Sequence, residues 1–159
     1  MASTPALRAL EEAAVPHTLH PYDAGSAAGG GYGEAAVAAL GADARQVLKT
    51  LVARVDGTLT VAVVPVSSTL DLKALAAATG GRRAVMAEPA DAERATGYVR
   101  GGISPLGQRT RLATVVDSSA LGFGTVLVSA GRRGLQVELP PAELVRLTGA
   151  RTAAVARGW

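Results

Sequence analysis

Two apolar runs rich in β-branched residues, Leu48–Val55 and Leu59–Val66, are separated by Asp56-Gly57. Both central positions of the tightest hairpin turns need positive φ, which Asp-Gly tolerates. The segment therefore predicts a β-hairpin, and the rest of the chain must cover its two apolar strands. Around it the signals alternate between helix and strand. Thr4-Pro5 reads as the N-cap and first residue of a helix to about Ala14. His17–Tyr22 reads as a short strand, Asp23–Gly33 as a Gly/Ala/Ser loop, and Glu34–Leu40 as a helix stopped by Gly41. Past the hairpin, Thr69–Thr79 is expected to be an amphipathic helix, Ala84–Ala87 a strand and Pro89–Thr96 a helix ending at Gly97. Strands are expected at Thr114–Asp117, Thr125–Ser129, Gly134–Glu138 and Thr152–Ala156, with a helix at Pro140–Leu147. No strict strand-helix-strand rhythm or repeat runs through this order, so the class read is α+β with a mixed sheet.

The 159 residues suit a single domain, 1–159, with one substantial core. Hydrophobic residues make up 48% but aromatic residues only 3%, so Val, Leu and Ala must fill that core. No apolar run reaches transmembrane length, and Met1–Arg8 lacks a signal-peptide core. A soluble cytoplasmic protein with no membrane contact, monomeric by default, is expected. The chain has no cysteine, which removes disulfides, thiolate metal sites and a cysteine nucleophile. The two histidines, His17 and His20, lie between Pro16 and Pro21 in an extended segment and read as strand or surface residues rather than metal ligands. A net charge of +3 permits a polyanionic partner without requiring one.

Lys49 stands inside the first hairpin strand, in Gln46-Val47-Leu48-Lys49-Thr50-Leu51-Val52, and is one of only two lysines among 16 basic residues. An ammonium in an apolar strand either snorkels to water or has a partner or a task. A second candidate is the turn-rich stretch Thr96-Gly97-Tyr98-Val99-Arg100-Gly101-Gly102-Ile103-Ser104-Pro105-Leu106-Gly107-Gln108. Adjacent glycines let backbone N–H groups approach a ligand, though an ordinary structural turn has the same composition. A third is Ser129-Ala130-Gly131-Arg132-Arg133-Gly134-Leu135, a basic hairpin turn with Ser129 at a strand end. Gly31-Tyr32-Gly33-Glu34-Ala35-Ala36 fits a dinucleotide fingerprint only if a strand precedes it within a strand-helix-strand unit.

In this order and spacing, the lysine strand, the Gly101-Gly102-Ile103-Ser104-Pro105-Leu106-Gly107 loop and the Ser129–Leu135 hairpin resemble the YbaK family of aminoacyl-tRNA deacylases, which includes the Cys-tRNA(Pro) deacylase and the related editing domain of prolyl-tRNA synthetase. Thr4-Pro5-Ala6, Tyr22, Leu70-Asp71-Leu72-Lys73 and Asp117 extend the resemblance over nearly the whole chain. It implies a mixed, partly barrel-like sheet flanked by helices. It also implies hydrolysis of the ester that joins a wrong amino acid to the tRNA 3′ end, Cys-tRNA(Pro) first among substrates, with no cofactor or metal and with prolyl-tRNA synthetase as a candidate partner. Carried over residue by residue, Lys49, Gly101, Gly102 and Ser104 take the catalytic positions. Tyr22, Thr50, Ile103, Ser129 and Gln136 take the substrate-binding ones. Cysteine-specific members often carry Asp where Gln136 stands, and a neutral amide there would alter contact with the aminoacyl amine. A deacylase for another amino acid such as Ala, and a catalytically silent binding module of the same fold, are the alternatives.

Overall fold

A computed structural model describes residues 3–23 and 32–158 of the chain. The expected hairpin forms its centre. β2 (Leu48–Val55) and β3 (Thr58–Pro65) pair antiparallel from Leu48↔Pro65 to Val55↔Thr58. Asp56 and Gly57 make the turn at φ 49° and 86°, as a hairpin with right-handed twist requires.

Before the hairpin come α1 (Pro5–Glu12), β1 (Thr18–Pro21) and α2 (Tyr32–Leu40). Thr4 caps α1 by accepting the Leu7 amide at 3.2 Å, and its own hydroxyl reaches the Ala130 carbonyl. After the hairpin come β4 (Thr69–Leu70), α3 (Leu72–Ala78), β5 (Ala84–Met86), α4 (Pro89–Thr96) and β6 (Ala113–Asp117). A 3₁₀ turn at Ser118–Gly122 leads to β7 (Val126–Arg132), β8 (Leu135–Leu139), α5 (Pro141–Thr148), β9 (Arg151–Ala153) and β10 (Ala156–Arg157).

The strands form a five-stranded sheet, β5-β2-β3-β6-β9, a three-stranded sheet, β1-β8-β7, and the pair β10-β4. β6 runs parallel to β3 and β9 parallel to β6, so the main sheet is mixed. Among the described residues, the only strand-type link between the two larger sheets is a parallel bridge between Val47 and Leu127. The architecture is α+β, and it curls at that bridge without closing into a barrel.

Alternation on β3 divides the core. Val61 and Val63 face one apolar cluster, shared with Leu7 and Leu10 of α1, Val128, Val137 and Leu144. Ala62 and Val64 face another, beneath Leu75 and Ala76 of α3. With both faces covered, β3 reads as an almost unbroken apolar run. A third, smaller cluster seats Val37 and Leu40 of α2 on Val47, Val66 and Leu127.

Two expected elements differ. The helix placed at Thr69–Thr79 starts only at Leu72, because the Asp71 side chain caps it through the Ala74 amide at 3.0 Å. Thr69 and Leu70 instead pair with Arg157 and Ala156. The last strand, expected at Thr152–Ala156, is broken in two. The Val155 and Ala156 amides turn to the buried Asp117 carboxylate at 2.8 and 2.9 Å, which ends one ladder and begins another. The expected loop over Asp23–Gly33 falls mostly outside the described residues.

Candidate active site

A cavity of about 720 Å³ opens beside the first half of β2. Its walls are Leu48–Val52, the start of α2 at Gly33 and Glu34, the end of β5, the face of α4, the Gly101 loop, and Ser129, Arg133 and Gln136 from the β7–β8 hairpin. Lys49, Thr50, Gly101, Ile103, Ser129 and Gln136, all expected at a site, line it together.

Lys49 is half-buried there, and its Nζ donates to the Ser68 carbonyl at 2.7 Å. A carbonyl fixes the direction of the ammonium and leaves its charge uncancelled, since no carboxylate pairs with it among the described ion pairs. The strand ammonium thus has a partner, and Lys49 forms part of the cavity wall. In the same wall, Thr50 Oγ1 and Gln136 Oε1 are buried polar atoms with no hydrogen-bond partner among the described residues. Such atoms cost about 1–3 kcal/mol each, so folded chains seldom keep them without a use. A third, Ser67 Oγ, lies outside the lining, next to the residue that receives Lys49. The Ser129 hydroxyl accepts the Gly131 amide at 3.1 Å, which steadies the hairpin bulge between Ser129 and Arg132.

The glycine loop is held by packing. Gly101 takes φ 85°, and a Cβ at Gly102 would lie 2.8 Å from Arg132 Cα and 2.9 Å from the Arg133 nitrogen. Only a residue without a side chain lets the loop lie against the hairpin backbone. The Tyr98 hydroxyl donates to the Leu106 carbonyl at 2.6 Å beneath the loop, and burial pushes its pKa up to about 12. Arg133 Nε donates to the Arg100 carbonyl at 2.7 Å, and Glu93 accepts the Arg100 amide at 2.8 Å.

Three expected residues stand back from the cavity. Ser104 is fully buried, and its hydroxyl accepts the Leu106 amide at 3.2 Å, so it shapes the loop from behind. Gly102 supports the loop against the hairpin without lining the cavity. Tyr22 follows β1, where its amide donates to the Gly134 carbonyl at 2.9 Å, and it does not line the cavity. Several lining residues had no individual signal in the sequence, among them Glu34, Met86, Glu93 and Arg100. A helix start, a strand end and a helix face bring them in from separate stretches of chain.

The other motifs resolve differently. His17 Nδ1 lies 2.8 Å from the Val15 carbonyl, whereas His20 Nε2 lies 2.7 Å from Glu138 Oε1. Among the described residues no three His, Asp or Glu side chains gather as a metal site. β1 and β2 lie in different sheets, so the Gly31–Ala36 segment has no strand-helix-strand unit of the kind a dinucleotide fold needs. No helix among the described residues is long and apolar enough to cross a membrane.

The sequence profile of the "Aminoacyl-tRNA editing domain" matches residues 32–147, which contain every residue lining the cavity. A relative from Enterococcus faecalis (strain ATCC 700802 / V583), named "Putative Cys-tRNA(Pro)/Cys-tRNA(Cys) deacylase EbsC", is 38% identical over 123 residues, 77% of this chain and 75% of that protein. A crystal structure titled as that of "a putative trans-editing enzyme for prolyl tRNA synthetase" superposes with a TM-score of 0.83 at 27% identity, covering 99% of this chain and 100% of the other. A crystal structure of a hypothetical protein shares the fold, with a TM-score of 0.84 at 24% identity, over 97% of this chain and 100% of the other. The chain belongs to the aminoacyl-tRNA editing domain family.

Proposed function

We propose that this chain, an aminoacyl-tRNA deacylase by family, acts in trans on a mischarged tRNA, with Cys-tRNA(Pro) its principal substrate. The carrying observation is the cavity whose wall holds Lys49, a cation without a carboxylate partner among the described residues, together with the Thr50 and Gln136 oxygens, which have no partner there either. The chain has no cysteine and both histidines are engaged elsewhere, so it offers no Cys–His or Ser–His pair. An ester on ribose does not demand one. The neighbouring ribose hydroxyl, or the thiol of a cysteinyl group, assists from the substrate side. Water adds to the carbonyl carbon, the bond to the ribose oxygen breaks, and that oxygen takes up a proton. The protein supplies position and charge.

In this reading the Lys49 ammonium faces either the terminal phosphate or the negative charge that develops at the ester. Gly101 and Ile103 frame the substrate, while Gly102 and Ser104 hold that loop in place. Thr50, Ser129 and Gln136 meet the amino acid. Arg100 and Arg133, at the cavity wall, suit the phosphates of the tRNA end. Prolyl-tRNA synthetase is the partner such an activity would serve, and the likeness to a solved putative trans-editing enzyme for that synthetase supports it.

The test is a panel of tRNAs charged with Cys, Ala, Ser or Pro, with ester release followed over time. Wild-type protein should release Cys from tRNA(Pro) fastest. Lys49→Ala should be slower by about 10²–10³-fold with an unchanged melting temperature. Faster release of Ala would reassign the amino acid, and release of none would make the chain a binding module.

A further inference from the structure

The edge of β2 that faces the cavity changes neighbours along its length. In an antiparallel ladder, the N–H and C=O of one residue point to the same edge, and the next residue's point to the other. The Val47 carbonyl accepts from Val66 on the β3 side at 2.8 Å, so odd-numbered residues face β3. Even-numbered residues face away from it. The Gln46 carbonyl accepts from Leu127 of β7 at 3.1 Å, the Val52 carbonyl from Ala87 at 3.0 Å, and the Asp56 amide donates to the Arg83 carbonyl at 2.8 Å. β7 meets this edge only at Val47, and β5 pairs only with Ala53–Val55. Between them, among the described residues, no strand lies along Lys49–Leu51, and this stretch is part of the cavity wall. At its middle, the N–H and C=O of Thr50 point together into the cavity.

We propose that this window in the edge of β2 binds the aminoacyl group as a one-residue strand. This rests on the deacylase reading. The Thr50 carbonyl accepts from the substrate α-ammonium, and the Thr50 amide donates to the ester carbonyl oxygen, where negative charge grows as water adds. An α-amino acid ester carries this donor and this acceptor on a single residue, as does each residue of a paired strand. The window therefore selects α-aminoacyl esters as a class, whatever their side chain. Thr50 Oγ1 and Gln136 Oε1 remain to read the side chain.

Thr50→Pro deletes the amide that no neighbouring strand uses, a position where a strand tolerates proline. Thr50→Val keeps that amide and deletes only the hydroxyl. The expected single-turnover loss is about 10²–10³-fold for Thr50→Pro, the usual effect of removing one preorganised donor, and well below that for Thr50→Val. If Thr50→Pro lowers the melting temperature, the α-hydroxy analogue of threonine at position 50 removes the same N–H with less steric change, and the same loss is expected. On the substrate side, 3-mercaptopropionyl-tRNA lacks only the α-amino group of cysteinyl-tRNA. Its acceleration over its own uncatalysed hydrolysis should be at least tenfold smaller. A folded N–H-deleted protein that works at the Thr50→Val rate, or equal acceleration of the two esters, overturns the window. A wild-type protein that hydrolyses no aminoacyl ester overturns the deacylase reading instead.

Discussion

Two buried polar groups, one in each of the two larger sheets, are treated in opposite ways. Asp117, at the end of β6, is 2% exposed, and its carboxylate accepts from the Val155, Ala156 and Ser119 amides and from the Ser119 hydroxyl. Every donor comes from the chain itself. Gln136, on β8, is 5% exposed, yet its carbonyl oxygen has no partner among the described residues, and neither has the hydroxyl of Thr50. The difference separates a polar group that builds the fold from one that awaits a ligand. A satisfied charge fixes where the chain turns, as Asp117 does by splitting the last strand. An unsatisfied dipole gives up stability and keeps its bonding capacity for something else.

The contrast breaks most directly at Asp117. Asp117→Ala leaves three amides without their acceptor, that of Val155 fully buried, and should cost about 3 kcal/mol, read as a lower midpoint in denaturant. The deacylation rate of the remaining folded protein should stay near wild type. A large loss of rate at unchanged stability would place Asp117 in the chemistry and end the comparison.

Gln136→Leu tests the other side. Replacing an unpartnered amide by an apolar group should leave stability unchanged or raise it by up to about 1 kcal/mol. The preference among Cys, Ala and Ser esters should shift by roughly tenfold, the size of one lost hydrogen bond. Clear destabilisation with an unchanged preference would make Gln136 a structural residue like Asp117.

The smallest effect is expected at Glu138, two residues along β8 on the same side of the strand. The Thr125 hydroxyl, and next His20, hold its carboxyl below the ordinary glutamate value of 4.5. A depressed folded-state pKa adds stability that is present above the ordinary value and lost as the pH falls through the lower, folded one. Thr125→Val removes the larger cause, so a small loss of stability is expected at neutral pH, and it should vanish as the pH falls below the folded-state value. An unchanged acid limb would show that the Thr125 contact does not hold Glu138.

Much of the fold is legible because the governing interactions are local. Asp56-Gly57 specifies a turn through its own backbone freedom, Thr4 caps the helix that it precedes, and Pro89 with Gly97 bounds α4. The two misplaced elements depend on distant partners. Leu70 belongs to a strand because Ala156 lies beside it, and the last strand breaks because Asp117, 38 residues upstream of Val155, takes its amides. At the site, Lys49 declares itself by being a cation in an apolar run. Ser104 does not disclose that its hydroxyl turns inward, nor do Glu34, Met86, Glu93 and Arg100 disclose that they meet at one cavity.

The sequence by itself determined the hairpin, the helix boundaries set by caps and glycines, the Val/Leu/Ala core and the family to which its motifs belong. Those follow from nearest-neighbour backbone chemistry and from residue types. The tertiary structure alone decided that β7 and β5 each pair with part of the outer edge of β2 and, among the described residues, leave Lys49–Leu51 bare between them. It also left the Thr50 hydroxyl and the Gln136 carbonyl oxygen without a partner among those residues. Which edge of a strand is covered depends on elements brought up from 30 to 80 residues away, and no local pattern records it.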